Sequence, residues 1–367
     1  MKKILFIAPF ESVHINRWYE FFKNSRNFDT KLIICKSFME NTLFSKVFYL
    51  FTIKRKVIIT INNFEPDVVN LHTLLFPNYL LPKHIKCKTV ITPWNGDIIW
   101  HKYGKEILLI RYIKGVAKWF KERQIKNSLL RSDLITYNSN AMKGGIKKLL
   151  YKNIPCEYVQ VPGVNTKKWI KTEKKAYLRR ELNLPEDKFI VLSLRQLGAI
   201  YNIDIIVEAA YRLSKIEKDI FFLFIIPVLG KHTKVFKDKV SKYNLENKMK
   251  IVGPVEYEKL VQYLQACDIG VSISSRDSCP QSVLEGMSTQ LPMIVGDIPV
   301  MRELVKDNYS ALLTPCRDVY LLVEKIIKLK NNKNLREKLA KNARETVLEK
   351  YDYNKNMKNM YQLFLNM

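Results

Sequence analysis

No apolar run in the 367-residue sequence approaches the roughly 18–20 residues needed to span a bilayer; the richest stretches, 47–53 and 221–228, stop far short. The chain passes from Met1-Lys2-Lys3 straight into ILFIAPF, too brief for a secretory apolar region and without a small-residue cleavage site, so residence in the cytoplasm is expected. Paired cysteines are missing. Cys35, Cys87, Cys156, Cys267, Cys279 and Cys316 are scattered with no CxxC, which speaks against a zinc site or a disulfide framework and for reduced core residues, with Cys279 partly exposed. No GxGxxG follows the first strand-like run, so a dinucleotide site is not expected. Low-complexity tracts are absent, as are helix-turn-helix, zinc-finger and RRM-type patterns. Acid is scarce: 35 Asp/Glu face 62 Lys/Arg, a net charge of +27. Residues 1–165 hold 27 Lys/Arg against 11 Asp/Glu, and the remainder 35 against 24, so the first part is the more basic. Such a surface suits nucleic acid, anionic lipid or anionic substrates; an AT-rich genome, which inflates Lys, Asn and Ile, also contributes.

The length suits two domains. Short apolar β-type runs alternate with helical patterns along both halves, which argues for two parallel sheets, an α/β class with helices on the sheet faces. In the first half the runs are 3–10, 30–35, 67–72, 89–94 and 132–139, with helices to about residue 23 and over 106–130. Residues 44–61 mix large apolars with Lys46, Lys54, Arg55 and Lys56, and read either as an amphipathic helix over a sheet or as a helix on an anionic membrane. In the 106–130 helix Lys114, Lys118 and Lys121 recur beside Trp119 and Phe120, which suits a membrane-interface face or a solvated face over core aromatics. The second half reads as strands 189–195, 221–227 and 249–253, helices 203–213, from about 233, and 257–266, and closing helices 335–350 and 353–365.

Residues 269–305 carry the most chemistry. A buried-strand run, 269–274, ends in a polar loop, 275–280, then a helix over 281–289, a second strand, 292–296, and a helix opening near Pro299. A strand, loop and helix N-terminus form an anion site, because free N–H groups and the helix dipole point at it. Asp277 and Glu285 bracket that end, which fits a ligand bearing both phosphate and hydroxyls, as a nucleotide sugar does. By spacing alone, Asp277 reads equally as a loop or N-cap residue and Glu285 as a solvated helix residue.

Asp277-SCPQSVL-Glu285 followed by GMSTQLPMIVGDIPVMREL resembles the donor-binding stretch of retaining family-4 (group 1) glycosyltransferases of the GT-B architecture. Two positions depart from that pattern: Asp277 stands where Glu is usual, and Pro280 where Gly is common. The resemblance implies two Rossmann-like domains facing a central cleft: an acceptor domain over 1–168, a nucleotide-sugar domain over 169–350, and a last helix, 351–367, crossing back. The domain boundary is expected within 163–175, after Gly163-Val-Asn165. It further implies that Ser278, Cys279, Pro280, Gln281 and Ser282 cradle the donor, that Glu285 orients the ribose and Asp277 the sugar hydroxyls, and that Arg195 meets the diphosphate. Where the family places a phosphate-binding Lys this chain has Tyr201 or Asn202, leaving Lys231 or backbone N–H groups to help. Gly253 and Val255 would hold the nucleobase through their backbone. On the acceptor side, SVHINRW places His14, and Trp94-Asn-Gly-Asp97 resembles a family loop whose His is here Trp94, making Asp97 an acceptor-hydroxyl ligand or base.

The activity implied is transfer of a sugar, with retention, from a UDP- or GDP-linked donor to a saccharide or lipid-linked acceptor in bacterial surface polysaccharide or lipopolysaccharide synthesis. No metal cofactor is implied, and no DxD site stands in the sequence. Nucleic acid is not an expected partner; an anionic membrane surface on the inner face of the cell membrane is a possible one. Alternatives are a GT-B-shaped sugar-nucleotide epimerase, a two-carboxylate hydrolase and a non-catalytic basic protein binding nucleic acid or membrane.

Overall fold

The computed structural model describes residues 1–35, 43–74, 78, 81, 85–94, 108–150, 156–159 and 161–367, with the side chains of 14, 43–50, 108–118 and 231 outside the description. Within them the chain forms two compact units, residues 1–161 with 357–367, and residues 162–356.

In the first unit the elements run β1 (Lys2–Ala8), α1 (Val13–Lys23), β2 (Phe28–Ile34), α2 (Leu43–Phe64), β3 (Val68–His72), β4 (Lys88–Thr92), α3 (Leu108–Arg131), β5 (Leu134–Tyr137), α4 (Asn140–Leu150) and β6 (Glu157–Val159). The strands make one parallel sheet in the order β2-β1-β3-β4-β5-β6. Covered on both faces, such strands need no polar alternation, and Ile4, Leu5, Phe6, Ile7 and Ala8 are all fully buried. Ser12 caps α1 by accepting from Ile15 N–H at 3.2 Å. The amphipathic reading of 44–61 meets a helix whose Ile53 and Val57 pack into the sheet core while Phe51 and Ile59 stay exposed. Ile125 and Leu129 of α3 enter the same core.

The second unit runs α5 (Lys175–Glu181), β7 (Phe189–Leu194), α6 (Ile203–Ile216), β8 (Ile220–Ile225), α7 (Lys231–Lys242), β9 (Met249–Val252), α8 (Leu260–Ala266), β10 (Ile269–Ser272), α9 (Gln281–Ser288), β11 (Met293–Gly296), α10 (Pro299–Leu304), β12 (Leu312–Thr314), α11 (Val319–Asn331) and α12 (Lys333–Lys350), and the last helix, α13 (Tyr353–Asn366), starts in it and passes to the first unit at Met357. Its sheet is also parallel, ordered β12-β11-β10-β7-β8-β9. All its strands therefore end on one edge, where ligands of doubly wound sheets collect.

The units divide at 161/162, ahead of the 168/169 division expected. The physical reason is a short parallel bridge: Val164 N–H donates to Tyr351 O, and Tyr353 N–H to Val164 O, each at 2.9 Å. Gly163 sits at φ +82°, and a Cβ there would lie 2.0 Å from Tyr351 O, so only glycine passes. From Met357 the closing helix α13 belongs to the first unit, later than the 351 expected, and there Phe364 lies 5.1 Å from the Phe22 ring. Helix α8 starts at Leu260 rather than 257, because Lys259 N–H closes a turn onto Glu256 O at 2.9 Å.

Candidate active site

The strand-loop-helix expected at 269–289 forms as β10, a loop and α9. Gly296 lets β11 leave close beside it: a Cβ there would meet Ser274 O at 2.9 Å. Pro280 is the N-cap of α9, placing Gln281 and Ser282 in its first turn, where backbone N–H groups face outward along the axis. Asp277 is accordingly not the cap. Its Oδ1 accepts from Ser278 N–H at 2.9 Å, and its Oδ2 accepts from Arg195 Nη2. Arg195 leaves the end of β7 and also donates from Nη1 to Ser282 Oγ at 3.3 Å. Its guanidinium lies over the Tyr201 ring, 4.6 Å from the centroid. Arg195 and Asp277 keep only 11% and 13% of their side-chain surface exposed, so the pair is poorly screened. A cation is thus held against a helix N-terminus, with one carboxylate already on it. Ser278 is buried, Cys279 half-buried, and Gln281 reaches Cys279 Sγ from Nε2 at 3.5 Å.

Glu285, one turn into α9, is not the solvated residue that spacing alone allowed: it is 3% exposed. Its Oε1 accepts from Tyr257 OH at 2.8 Å. Tyr257 reaches it because α8 starts late, leaving this residue in the preceding turn. The ring meets Trp169 edge-on at 5.4 Å, and Lys168 Nζ sits 4.4 Å from its centroid. Trp169 is anchored in turn: its carbonyl accepts from Ser288 Oγ at 2.6 Å and Arg344 Nη1 at 2.9 Å.

The two residues at the expected lysine position have structural duties. Tyr201 ends a short 3-10 turn beneath Arg195. Asn202 is fully buried at φ +51° and donates from Nδ2 to Ile273 O and Ser275 Oγ, both at 2.7 Å. Its Oδ1 accepts from Arg317 Nη1 at 3.2 Å. Asn202 thereby ties the loop after β7 to the loop after β10. Gly253 and Val255 follow β9 at the sheet margin, on the same edge as Arg195. Lys231 is the first residue of α7, with its side chain outside the description. In the first unit His14 lies in α1, its side chain likewise outside, and Asp97 falls outside the described residues altogether. The sheet edge there carries a residue the sequence reading passed over: His72, fully buried between Phe6 and Trp18, with neither ring nitrogen hydrogen-bonded and its pKa driven down to about 3 by burial.

Two six-stranded parallel sheets, each wound with helices, are the GT-B fold class. Residues 174–346 match the family described as Glycosyl transferases group 1. An uncharacterized glycosyltransferase of Methanocaldococcus jannaschii is 29% identical over 143 residues, 39% of this chain and 38% of that protein. The UDP-Gal:alpha-D-GlcNAc-diphosphoundecaprenol alpha-1,3-galactosyltransferase of Escherichia coli is 23% identical over 273 residues, covering 73% of this chain and 68% of that protein. Among solved structures, Anabaena HepE in complex with UDP-glucose superposes over 100% of both chains with a TM-score of 0.80 at 15% identity. No described helix is long and apolar enough to cross a membrane.

Proposed function

We propose that this protein is a retaining, metal-independent glycosyltransferase that moves a hexose from a UDP- or GDP-linked donor to a saccharide or lipid-linked acceptor during assembly of a bacterial surface polysaccharide or lipopolysaccharide. The observation that carries the reading is Arg195 braced by Asp277, Ser282 and Tyr201 at the N-terminus of α9. Negative charge grows on the leaving diphosphate as the sugar bond breaks. A preorganised guanidinium and helix N–H groups stabilise that charge more than the ground state. Glu285 accepts from the ribose, Asp277 from the sugar, Gly253 and Val255 flank the base, and the leaving phosphate takes the acceptor proton. His14 and Asp97 serve the acceptor. The UDP-glucose in HepE and the diphosphoundecaprenol in the name of the Escherichia coli relative support the donor and acceptor classes.

The test is a thermal shift with UDP, GDP, CMP and ADP, with and without chelator. A ligand at about 100-fold its Kd adds roughly 2.7 kcal/mol to stability. One nucleoside diphosphate should raise the midpoint, unaffected by chelator, and the shift should vanish in Arg195→Ala. Absence of any shift would remove the donor assignment.

A further inference from the structure

We infer that the second unit carries a separate binding site for a phosphate monoester, at the edge of its sheet where the strands begin. There a cavity of about 480 Å³ opens between the first turns of α12, the turn after α9, the end of α8 and residues 171–175, a size within the usual range for small-molecule sites. All these residues belong to the second unit. Asp268 and Pro292 of the cavity immediately precede β10 and β11, whereas Arg195 follows the far end of β7, so the cavity and the site at α9 lie on opposite edges of one parallel sheet. β10 alone, four residues long, spans roughly 13 Å. The cavity is cationic. Lys171, Lys175, Lys333, Arg336 and Lys341 line it, against two carboxylates, Asp268 and Glu337. Asp268 is already saturated: Lys175 Nζ reaches it at 2.6 Å, Arg179 Nη2 at 2.7 Å and Ile190 N–H at 2.6 Å, so one carboxylate answers two cations. Glu337 lies 3.8 Å from Lys333 in an exposed pair, which offsets little. Lys341 has no ion pair among the described residues. Arg336 is held in place: its Nη1 donates to Leu329 O and, at 2.7 Å, to Lys330 O, and the guanidinium lies 5.3 Å from the Phe189 ring centroid. Carbonyls and a ring fix a guanidinium without neutralising it, and its Nε and Nη2 have no hydrogen-bond partner among the described residues. Those two nitrogens stand side by side, the geometry that meets two oxygens of one phosphate. The last four carbonyls of α9 do not oppose an anion, being capped by the N–H groups of Thr289, Gln290 and Leu291 and by Arg344. Beneath the cations Leu264, Leu291 and Ala340 make a buried apolar floor. A charged rim over an apolar floor suits a phosphate carried on a compact body with a nonpolar face better than a bare anion. The site stands whether or not a nucleotide binds at α9.

Calorimetry on the full chain with α-D-glucose 1-phosphate, inorganic phosphate and glucose tests the site, on wild type, Arg195→Ala, Arg336→Gln and Lys341→Glu. Glucose 1-phosphate should bind wild type and Arg195→Ala alike, within about twofold, because the two sites share no residue. Inorganic phosphate should bind about fivefold more weakly, lacking a body to cover the apolar floor, and glucose should not bind measurably. Arg336→Gln should weaken glucose 1-phosphate about tenfold or more, the scale of hydrogen bonds between charged partners, and Lys341→Glu about fivefold. Binding that Arg195→Ala abolishes and Arg336→Gln leaves intact puts the phosphate at α9; it overturns the second site and leaves the donor reading standing. No binding of glucose 1-phosphate to wild type overturns the inference outright, as does glucose binding equally well. Equal affinity for inorganic phosphate overturns the monoester as ligand. Should Arg336→Gln lose its folded melting transition, because the end of α11 hangs on that guanidinium, Lys341→Glu decides in its place: the exposed Lys341 holds no other residue, and unchanged affinity there overturns the site.

Discussion

In the proposed function Arg195 would serve two anions, Asp277 and a donor phosphate. With no more than 13% of either side chain exposed, the ion pair with Asp277 would then compete directly with phosphate for the guanidinium. Asp277→Asn frees the cation, so UDP or GDP is expected to bind about threefold to tenfold more tightly. Sugar transfer should fall about tenfold or more in the same variant, because the carboxylate that would hold the sugar hydroxyls is gone. Calorimetry and a transfer assay on one preparation check the pair of outcomes; parallel loss of both would mean that Asp277 only supports the loop. His72 is a second residue whose chemistry its environment dictates. Burial drops its pKa to about 3, so the folded protein refuses a proton that the unfolded chain accepts below its ordinary pKa. Its contribution is complete above pH about 6.5 and declines as pH falls towards 3, by about 1.4 kcal/mol per pH unit. Urea unfolding should show wild type losing about 1.4 kcal/mol in total between about pH 7.5 and about pH 5.5, and His72→Asn losing less.

Elements, more than single residues, were readable in advance. The β10-loop-α9 unit was legible because a β-type apolar run, a polar loop and a helical pattern follow each other without ambiguity, and both sheets followed from the alternation of such runs. The start of α8 was not: EYEKL suits a helix throughout, and only the Glu256–Lys259 turn delays it to Leu260. That delay is what hands Tyr257 to Glu285, a contact 28 residues long in sequence and invisible to local pattern. The same holds for Asn202, which looked like a missing lysine. Its duty is a pair of hydrogen bonds to residues more than seventy positions away, made from a left-handed backbone that Asn tolerates and β-branched residues do not. Asn202→Ala leaves Ile273 O without this donor and strains the backbone, so a loss of about 2–4 kcal/mol is expected in denaturant unfolding. Asn202→Gly relieves the strain alone, and should recover roughly 1 kcal/mol of that loss. Equal stability of the two variants would show that the hydrogen bonds, not the backbone, are all that Asn202 contributes.

At the scale of the whole molecule the unexplained quantity is the net charge of +27, weighted towards residues 1–165. A genome bias spreads lysines evenly; it does not set aromatic rings among them on the solvent side of a helix. On α3 Trp119 and Phe120 are 58% and 52% exposed, and the Arg123 guanidinium lies 5.4 Å from the Trp119 ring centroid. Exposed rings beside cations are what an anionic bilayer surface rewards, because rings enter the headgroup layer and cations meet its potential. A solvated face over a core would instead turn those rings inward, as Ile125 and Leu129 of the same helix are turned. The protein is therefore expected to co-sediment with phosphatidylglycerol-rich vesicles at low salt, not with phosphatidylcholine vesicles, and to be released mostly by about 0.5 M salt as charges are screened. The double variant Trp119→Ala/Phe120→Ala should lose vesicle binding about fivefold or more with its melting temperature unchanged, since neither ring is in the core. Binding that salt removes but the aromatic variant keeps would mean charge alone is at work. Retention on nucleic acid under the same salt, with no vesicle binding, would move the partner of the basic first unit away from lipid and with it the case for a lipid-linked acceptor.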